Sequence, residues 1–201
     1  MTYLRAVDGA ANLHPVVHIA CHEVGGGDEH QLFGILAKAV NPGMLQVTAH
    51  QLGHCLAKAG FGLVFGGGNT GVMGACARGA AQTGGQILGV APSFFNQEGV
   101  LYPSCTTLHL TDTMRQRKEM MEHLSHGFVM APGGIGTLEE FFEILTLKQL
   151  GLHKKPIAVL NIRGYFDALE ELLEGAVEEG FLEKEVLSMY RMFREPEELV
   201  R

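Results

Sequence analysis

Basic residues are scarce in this 201-residue chain. Fifteen Lys and Arg stand against 22 Asp and Glu, a formal net charge of −7. That argues against a polyanion such as DNA as the main partner, while leaving small phosphorylated ligands open to a local turn. Cysteine is also sparse. Cys21, Cys55, Cys76 and Cys105 are widely spaced and make no C-x-x-C pair, so they read as reduced thiols at or near the core of a cytosolic protein. Residues 1–15 hold no apolar core of signal-peptide length, and no run approaches membrane-spanning length, so a cytoplasmic protein without a membrane partner is expected. There is no internal repeat and no low-complexity linker. What remains is an ordinary globular composition, 46% hydrophobic and 18% charged, and a length that fits one domain over residues 1–201, with residues 1–14 as a loose N-terminal arm.

The chain is organised around residues 132–140, Pro-Gly-Gly-Ile-Gly-Thr-Leu-Glu-Glu. An apolar run (residues 127–131) leads in and a helical pattern (residues 141–147) leads out, which spells strand, glycine turn, helix. Gly133, Gly134 and Gly136 carry no Cβ where a backbone must pass close to something. The helix start presents free N–H groups and a positive dipole end, which suits phosphate, and Thr137 adds a hydroxyl donor. Glu139 and Glu140 fall in the expected first turn.

Elsewhere strands and helices alternate. Residues 16–21 read as a buried first strand, followed by a glycine-rich loop, residues 22–28, that is either a ligand loop or a connection. Helical spacing is expected over residues 29–40 and 45–58. On the second of these helices His50 and His54 share a face. Their spacing lacks the Glu of the metalloprotease motif and a third ligand, so no metal is expected. Strands are predicted over residues 61–65, 86–91, 105–110 and 156–161, and helices over 75–83, from about 112 to 125, over 164–179 and from 195. Leu172 is expected inward on the 164–179 helix, with Phe181 packing just after it. Such alternation implies an α/β, doubly wound parallel sheet flanked by helices.

Two further segments bear on function. Residues 66–74, Gly-Gly-Gly-Asn-Thr-Gly-Val-Met-Gly, again follow a strand. They do not match G-x-G-x-x-G; their amides suit a ribose or phosphate, or the glycines serve close helix packing. Arg115, Arg117 and Lys118 lie near a helix start, against the dipole. That misfit points to an anion facing them, the alternative being a solvated basic face. Asp112 or Thr111 is the expected N-cap. Residues 93–104 form a loop long enough to be functional.

Together these stretches resemble a known family. Residues 132–140 match P-G-G-x-G-T-x-x-E and residues 66–74 match G-G-G-x-x-G-x-M-G. Residues 114–118 resemble M-H-x-R-K and residues 146–156 resemble T-W-x-Q-L-G-x-H-x-K-P. In that order they resemble the LONELY GUY (LOG) family of cytokinin riboside 5′-monophosphate phosphoribohydrolases, often labelled lysine decarboxylases, over about residues 45–200. The resemblance implies a Rossmann-like fold, a homodimer, no cofactor, and hydrolysis of the N-glycosidic bond of a purine nucleoside 5′-monophosphate. It implies Arg117 and Glu140 as catalytic residues. Gly67, Gly68, Gly71, Met114, Lys118, Gly133, Gly134, Gly136 and Thr137 would hold substrate and phosphate, and Glu139 would be a bystander. Glu140→Gln and Arg117→Ala are each expected to remove most turnover and leave the fold intact. The chain departs from the pattern at Arg115 and Leu147, in the loop at residues 22–27, and in extra length near residues 31–41. The alternative is a non-catalytic nucleotide or molybdenum-cofactor carrier of the same fold. A pyridoxal phosphate decarboxylase would need a marked Schiff-base lysine, and no motif supplies one.

Overall fold

The computed structural model describes residues 16–20 and 42–200; the expected arm, the glycine-rich loop after the first strand and the helix over 29–40 lie outside them. The strands are β1 (Val16–Ala20), β2 (Gly62–Phe65), β3 (Ile87–Pro92), β4 (Thr107–Thr111), β5 (Gly127–Met130), β6 (Ile157–Leu160) and β7 (Arg191–Phe193). The helices are α1 (Pro42–Lys58), α2 (Gly71–Gln82), α3 (Met114–Leu124), α4 (Ile135–Gln149), α5 (Asp167–Glu178) and the short α6 (Pro196–Leu199). The seven strands form one sheet in the order β4-β3-β2-β1-β5-β6-β7, every pairing parallel. This is the expected doubly wound architecture.

Every residue of β2, β3, β5 and β6 is buried, as apolar runs covered on both faces must be. The period of two along each strand divides the core. Val17, Leu63, Phe65, Ile87 and Val129 pack with α1, α2 and α6. Val64, Leu88 and Val90 meet Met121 of α3, and Phe128 and Met130 meet Phe141 and Ile144 of α4. His18, one residue after Val17, therefore points to the α3 and α4 side. On the other side α1 and α2 touch backbone to backbone. A Cβ at Gly53 would lie 1.9 Å from the Cys76 carbonyl oxygen, and one at Gly79 would lie 1.9 Å from that of His50.

Several boundaries differ from the sequence reading. α2 starts at Gly71, four residues early, because Gly74 fits against the Asn69 carbonyl, 1.9 Å from where its Cβ would be. The N-cap of α3 is Thr113, not Asp112 or Thr111. Gln116 accepts from the Asp112 and Thr113 amides while the Thr113 hydroxyl accepts from the Gln116 amide, a complete capping box. α4 starts at Ile135, which moves Glu139 and Glu140 out of the first turn. α5 starts only at Asp167, because Arg163 and Gly164 are left-handed, with φ of 55° and 76°. Its inward stripe is Phe166, Leu169 and Leu173. Leu172, one position off that stripe, is 63% exposed, and Phe181, following left-handed Gly180, is 87% exposed. β7 was not expected; three residues ending in Phe193 are too short for a periodic signal.

Candidate active site

β1 pairs with β2 on one side and β5 on the other, so the winding reverses between β1 and β5. In open parallel sheets such a reversal, at the carboxyl ends of the strands, is the usual ligand position. The residues 132–140 stretch leaves β5 at this point.

Arg117 lies one turn into α3 and, with Met121, forms its buried face. Its side chain crosses the end of β3, where Nε donates to the Val90 carbonyl at 3.2 Å. Its Nη2 rests against Gly66, where a Cβ would lie 2.5 Å away. Nη1 donates to Glu140 Oε1 at 2.7 Å. The two residues are 2% and 4% exposed, so this is a buried, charge-assisted contact. Glu140 reaches it from the inward face of α4.

His18 approaches the same carboxylate from β1, with Nε2 3.8 Å from Glu140 Oε2. That exceeds hydrogen-bonding distance. Its ring is edge-on to Phe128, and neither ring nitrogen has a hydrogen-bond partner among the described residues. Burial pushes its pKa from 6.5 down to about 4; Glu140 opposes the shift and Arg117 adds to it. His18 is therefore neutral at neutral pH. The sequence reading missed it. The one available signal was a polar residue inside the apolar run Val16-Val17-His18-Ile19-Ala20.

Two of the cations near the start of α3 meet the protein's own carboxylates, Arg117 that of Glu140 and Lys118 those of the rim. Lys118 pairs with Glu139 and, at 3.0 Å, with Glu143. Burial alone would lower its pKa, but the two carboxylates outweigh it and the net shift is upward. Glu139, one residue before Glu140, thus serves the rim rather than the buried pair. Arg115 is exposed and Met114 half-buried at the first position of α3.

Gly134 is the N-cap of α4, without a side-chain cap, and Ile135 after it is 82% exposed. Gly133 and Gly136 are half-buried, while Thr137 is fully buried within the first turn. The turn is anchored from outside by Tyr165, whose hydroxyl donates to the Gly133 carbonyl at 2.7 Å; the sequence reading did not single it out. In the other glycine loop, Gly67 and Gly71 take positive φ of 79° and 57°. A Cβ at Gly68 would lie 2.6 Å from Met73 Cε. The long loop over residues 93–104 straps this turn down. Tyr102 N donates to the Gly67 carbonyl at 2.7 Å, and Leu101 bridges to Gly68. Internal packing thus accounts for Gly66 and Gly74, whereas at Gly68 the flexible tip of Met73 could give way.

The 146–156 segment braces the fold. Lys148 donates to the carbonyls of Lys155 and Met189, and Lys155 donates to that of Glu122 at the end of α3. The His153 ring meets the Ile144 carbonyl at 2.9 Å. Among the described residues no three His, Cys, Asp or Glu side chains gather where they could hold a metal, and no helix is long and apolar enough to cross a membrane.

Residues 73–201 match the family model described as "Possible lysine decarboxylase". The chain is 41% identical over 135 residues to the cytokinin riboside 5′-monophosphate phosphoribohydrolase of Rhodococcoides fascians, covering 67% of this chain and 68% of that one. It is 40% identical over 137 residues to a probable enzyme of the same name from Oryza sativa subsp. japonica, covering 68% and 56%, and 37% identical over 135 residues to one from Arabidopsis thaliana, covering 67% and 63%. The alignments thus span less than two thirds of either plant protein. Among solved structures, the molybdenum cofactor binding protein of Rippkaea orientalis superposes with a TM-score of 0.65 at 20% identity, over 94% of this chain and 95% of that one. The molybdenum cofactor carrier protein of Chlamydomonas reinhardtii gives 0.63 at 21%, over 94% of each. At such identities the likeness is one of fold. The family-model match and the 41% identity together establish that this chain belongs to the LONELY GUY (LOG) family of phosphoribohydrolase-like proteins.

Proposed function

We propose that this protein hydrolyses the N-glycosidic bond of a purine nucleoside 5′-monophosphate, AMP or an N6-substituted (cytokinin-type) relative, to free base and ribose 5-phosphate. The observation that carries the reading is the buried Arg117–Glu140 pair at the switch point of the sheet. Cleavage at C1′ builds positive charge on the ribose. A carboxylate held away from bulk water stabilises that charge strongly and orients the attacking water. In this scheme Glu140 faces C1′; water oxygen bonds to C1′, the C1′–N9 electron pair leaves with the base, and the water's proton ends on it. Arg117 turns its planar fork to the phosphate or the departing base. The uncapped start of α4, with Gly133, Gly134, Gly136 and Thr137, receives the phosphate. Gly67, Gly68 and Gly71 lie by the ribose, and Met114 and Lys118 border the site. The chain acts as one domain and as a cytoplasmic homodimer; Leu108 and Leu110, exposed on edge strand β4, give a second copy apolar surface to cover.

The test is chromatographic detection of free base from AMP and from isopentenyladenosine monophosphate, with Glu140→Gln as control. The expected result is release by the wild type and a loss of about 100-fold or more in the variant. A folded Glu140→Gln protein with near-normal rates overturns the assignment. Nucleotide binding without release by the wild type favours a carrier.

A further inference from the structure

The turn that leaves β6 adopts a backbone that a plain connection would avoid. Arg163 and Gly164 are left-handed in succession, with φ of 55° and 76°, and for a residue with a Cβ such as arginine that is costly. Buried Asn161 locks the turn. Its Oδ1 accepts from the Phe166 amide at 2.8 Å and its Nδ2 donates to Asp167 Oδ1 at 2.7 Å. A Cβ at Gly164 would lie 2.3 Å from the other oxygen of that carboxylate. Strain of this kind persists where the surrounding structure imposes it, and here it delivers Tyr165. The Tyr165 ring is 39% exposed and edge-on to Phe166, so packing explains little of its placement. Its hydroxyl donates to the Gly133 carbonyl at 2.7 Å. β6 runs beside β5 in parallel register, so the two turns leave the same sheet edge as neighbours.

The Gly133 carbonyl and the Gly134 N–H belong to one peptide group. No peptide among the described residues is cis, so the two point in opposite directions. A donor on the carbonyl therefore holds the Gly134 N–H facing away from Tyr165. The ladder of α4 begins with the Thr137 and Leu138 amides on the Gly134 carbonyl, so the N–H groups of Gly134, Ile135 and Gly136 stand ahead of it, at the positive end of the dipole. A peptide between two glycines meets little steric resistance to rotation. Rotated over, it would show an anion a carbonyl oxygen in place of an N–H. We propose that Tyr165 is a positioning residue for the substrate's phosphate: by holding the Gly133 carbonyl it keeps the Gly134 N–H turned to the phosphate at the start of α4. No covalent step is involved, and the inference rests on the reading above that this turn receives the phosphate.

The experiment compares wild type with Tyr165→Phe, which keeps the ring and removes the hydroxyl. Base release from AMP gives kcat and KM. Calorimetric titration with AMP and with adenosine, in the Glu140→Gln background so that AMP stays intact, gives affinity without turnover. Expected in Tyr165→Phe is a KM for AMP about tenfold higher, the worth of one N–H donor to a charged group, with kcat within about twofold. AMP affinity should fall by the same factor while adenosine affinity stays within about twofold; a merely structural role would weaken both ligands or neither. Where the Glu140→Gln parent prefers AMP, equal weakening of the two ligands, or none, overturns the role of Tyr165 alone. A parent that binds AMP no tighter than adenosine overturns the phosphate reading and this inference together. No base release by the wild type, with AMP affinity alone reduced, keeps Tyr165 as the holder of the phosphate turn and removes the hydrolysis.

Discussion

Arg117 and Glu140 are 2% and 4% exposed, so a substitution at either changes a buried ion pair as well as a reaction. Arg117→Ala leaves a carboxylate in the core without its cation and should cost about 3–5 kcal/mol, read as a fall in the urea midpoint. Glu140→Gln keeps an oxygen for Nη1 and should cost clearly less, which makes it the better probe of chemistry. Sequence reasoning expects both variants to fold intact; it identifies the pair by motif but has no means of seeing their burial or that they touch. His18 adds a pH dependence. The unfolded chain takes up a proton near pH 6.5, the folded one only near pH 4. Between these values the unfolded state binds more protons, so stability falls as pH is lowered. Burial sets this shift; Glu140 on α4 opposes it and Arg117 on α3 adds to it. From pH 7.5 to 4.5 the wild type should lose about 2–3 kcal/mol more than His18→Phe, measured by denaturant unfolding at both pH values.

At the level of elements, the site depends on where α3 and α4 begin. The capping box of Thr113 and Gln116 fixes the first turn of α3, which Arg117 closes with its N–H on the Thr113 carbonyl. Thr113→Ala should therefore cost about 1 kcal/mol in stability and lower activity beyond what the unfolded fraction explains, checked by calorimetry alongside the base-release assay. The sequence places an N-cap in this region but two Thr and an Asp stand in a row, and only the reach of Gln116 decides between them. The α1–α2 contact was still less legible. Gly79 looks like an ordinary helix interior glycine, yet a Cβ there would strike the His50 carbonyl. Gly79→Ala should separate the helices and cost at least about 1–3 kcal/mol, against a slight gain were the glycine a mere weak helix former. Leu172 and Phe181 show the reverse error, apolar residues that composition sends inward and helix phase or a left-handed glycine leaves at the surface.

Across the whole molecule, the parallel doubly wound sheet was readable because its central strands are unbroken apolar runs separated by glycine turns and helical stretches. β4 and β7 at the two edges were blurred or missed, since one is largely exposed and the other three residues long. The strand order brings the Arg117–Glu140 pair to the switch point, with Gly66 of one glycine turn against the guanidinium, a juxtaposition no local pattern contains. The same architecture speaks to the lysine decarboxylase description of the family model. Lys148 and Lys155 are committed to backbone carbonyls and Lys118 to two carboxylates, leaving none of these part-buried amines poised for an aldehyde. Titration with pyridoxal phosphate should therefore give no saturable Schiff-base absorbance; a stoichiometric band would reopen that chemistry.

The central place of β1 also bears on how the chain is made. β1 pairs with β2 across residues 16–64 and with β5 across residues 17–130. On the ribosome, which delivers the N-terminus first, β1 and β2 emerge long before β5. Through that interval the strand destined for the middle of the sheet has one bare edge, the kind of surface on which nascent chains associate wrongly. A ribosome-bound chain that has released β1 but not yet β5 is thus the species most in need of a chaperone.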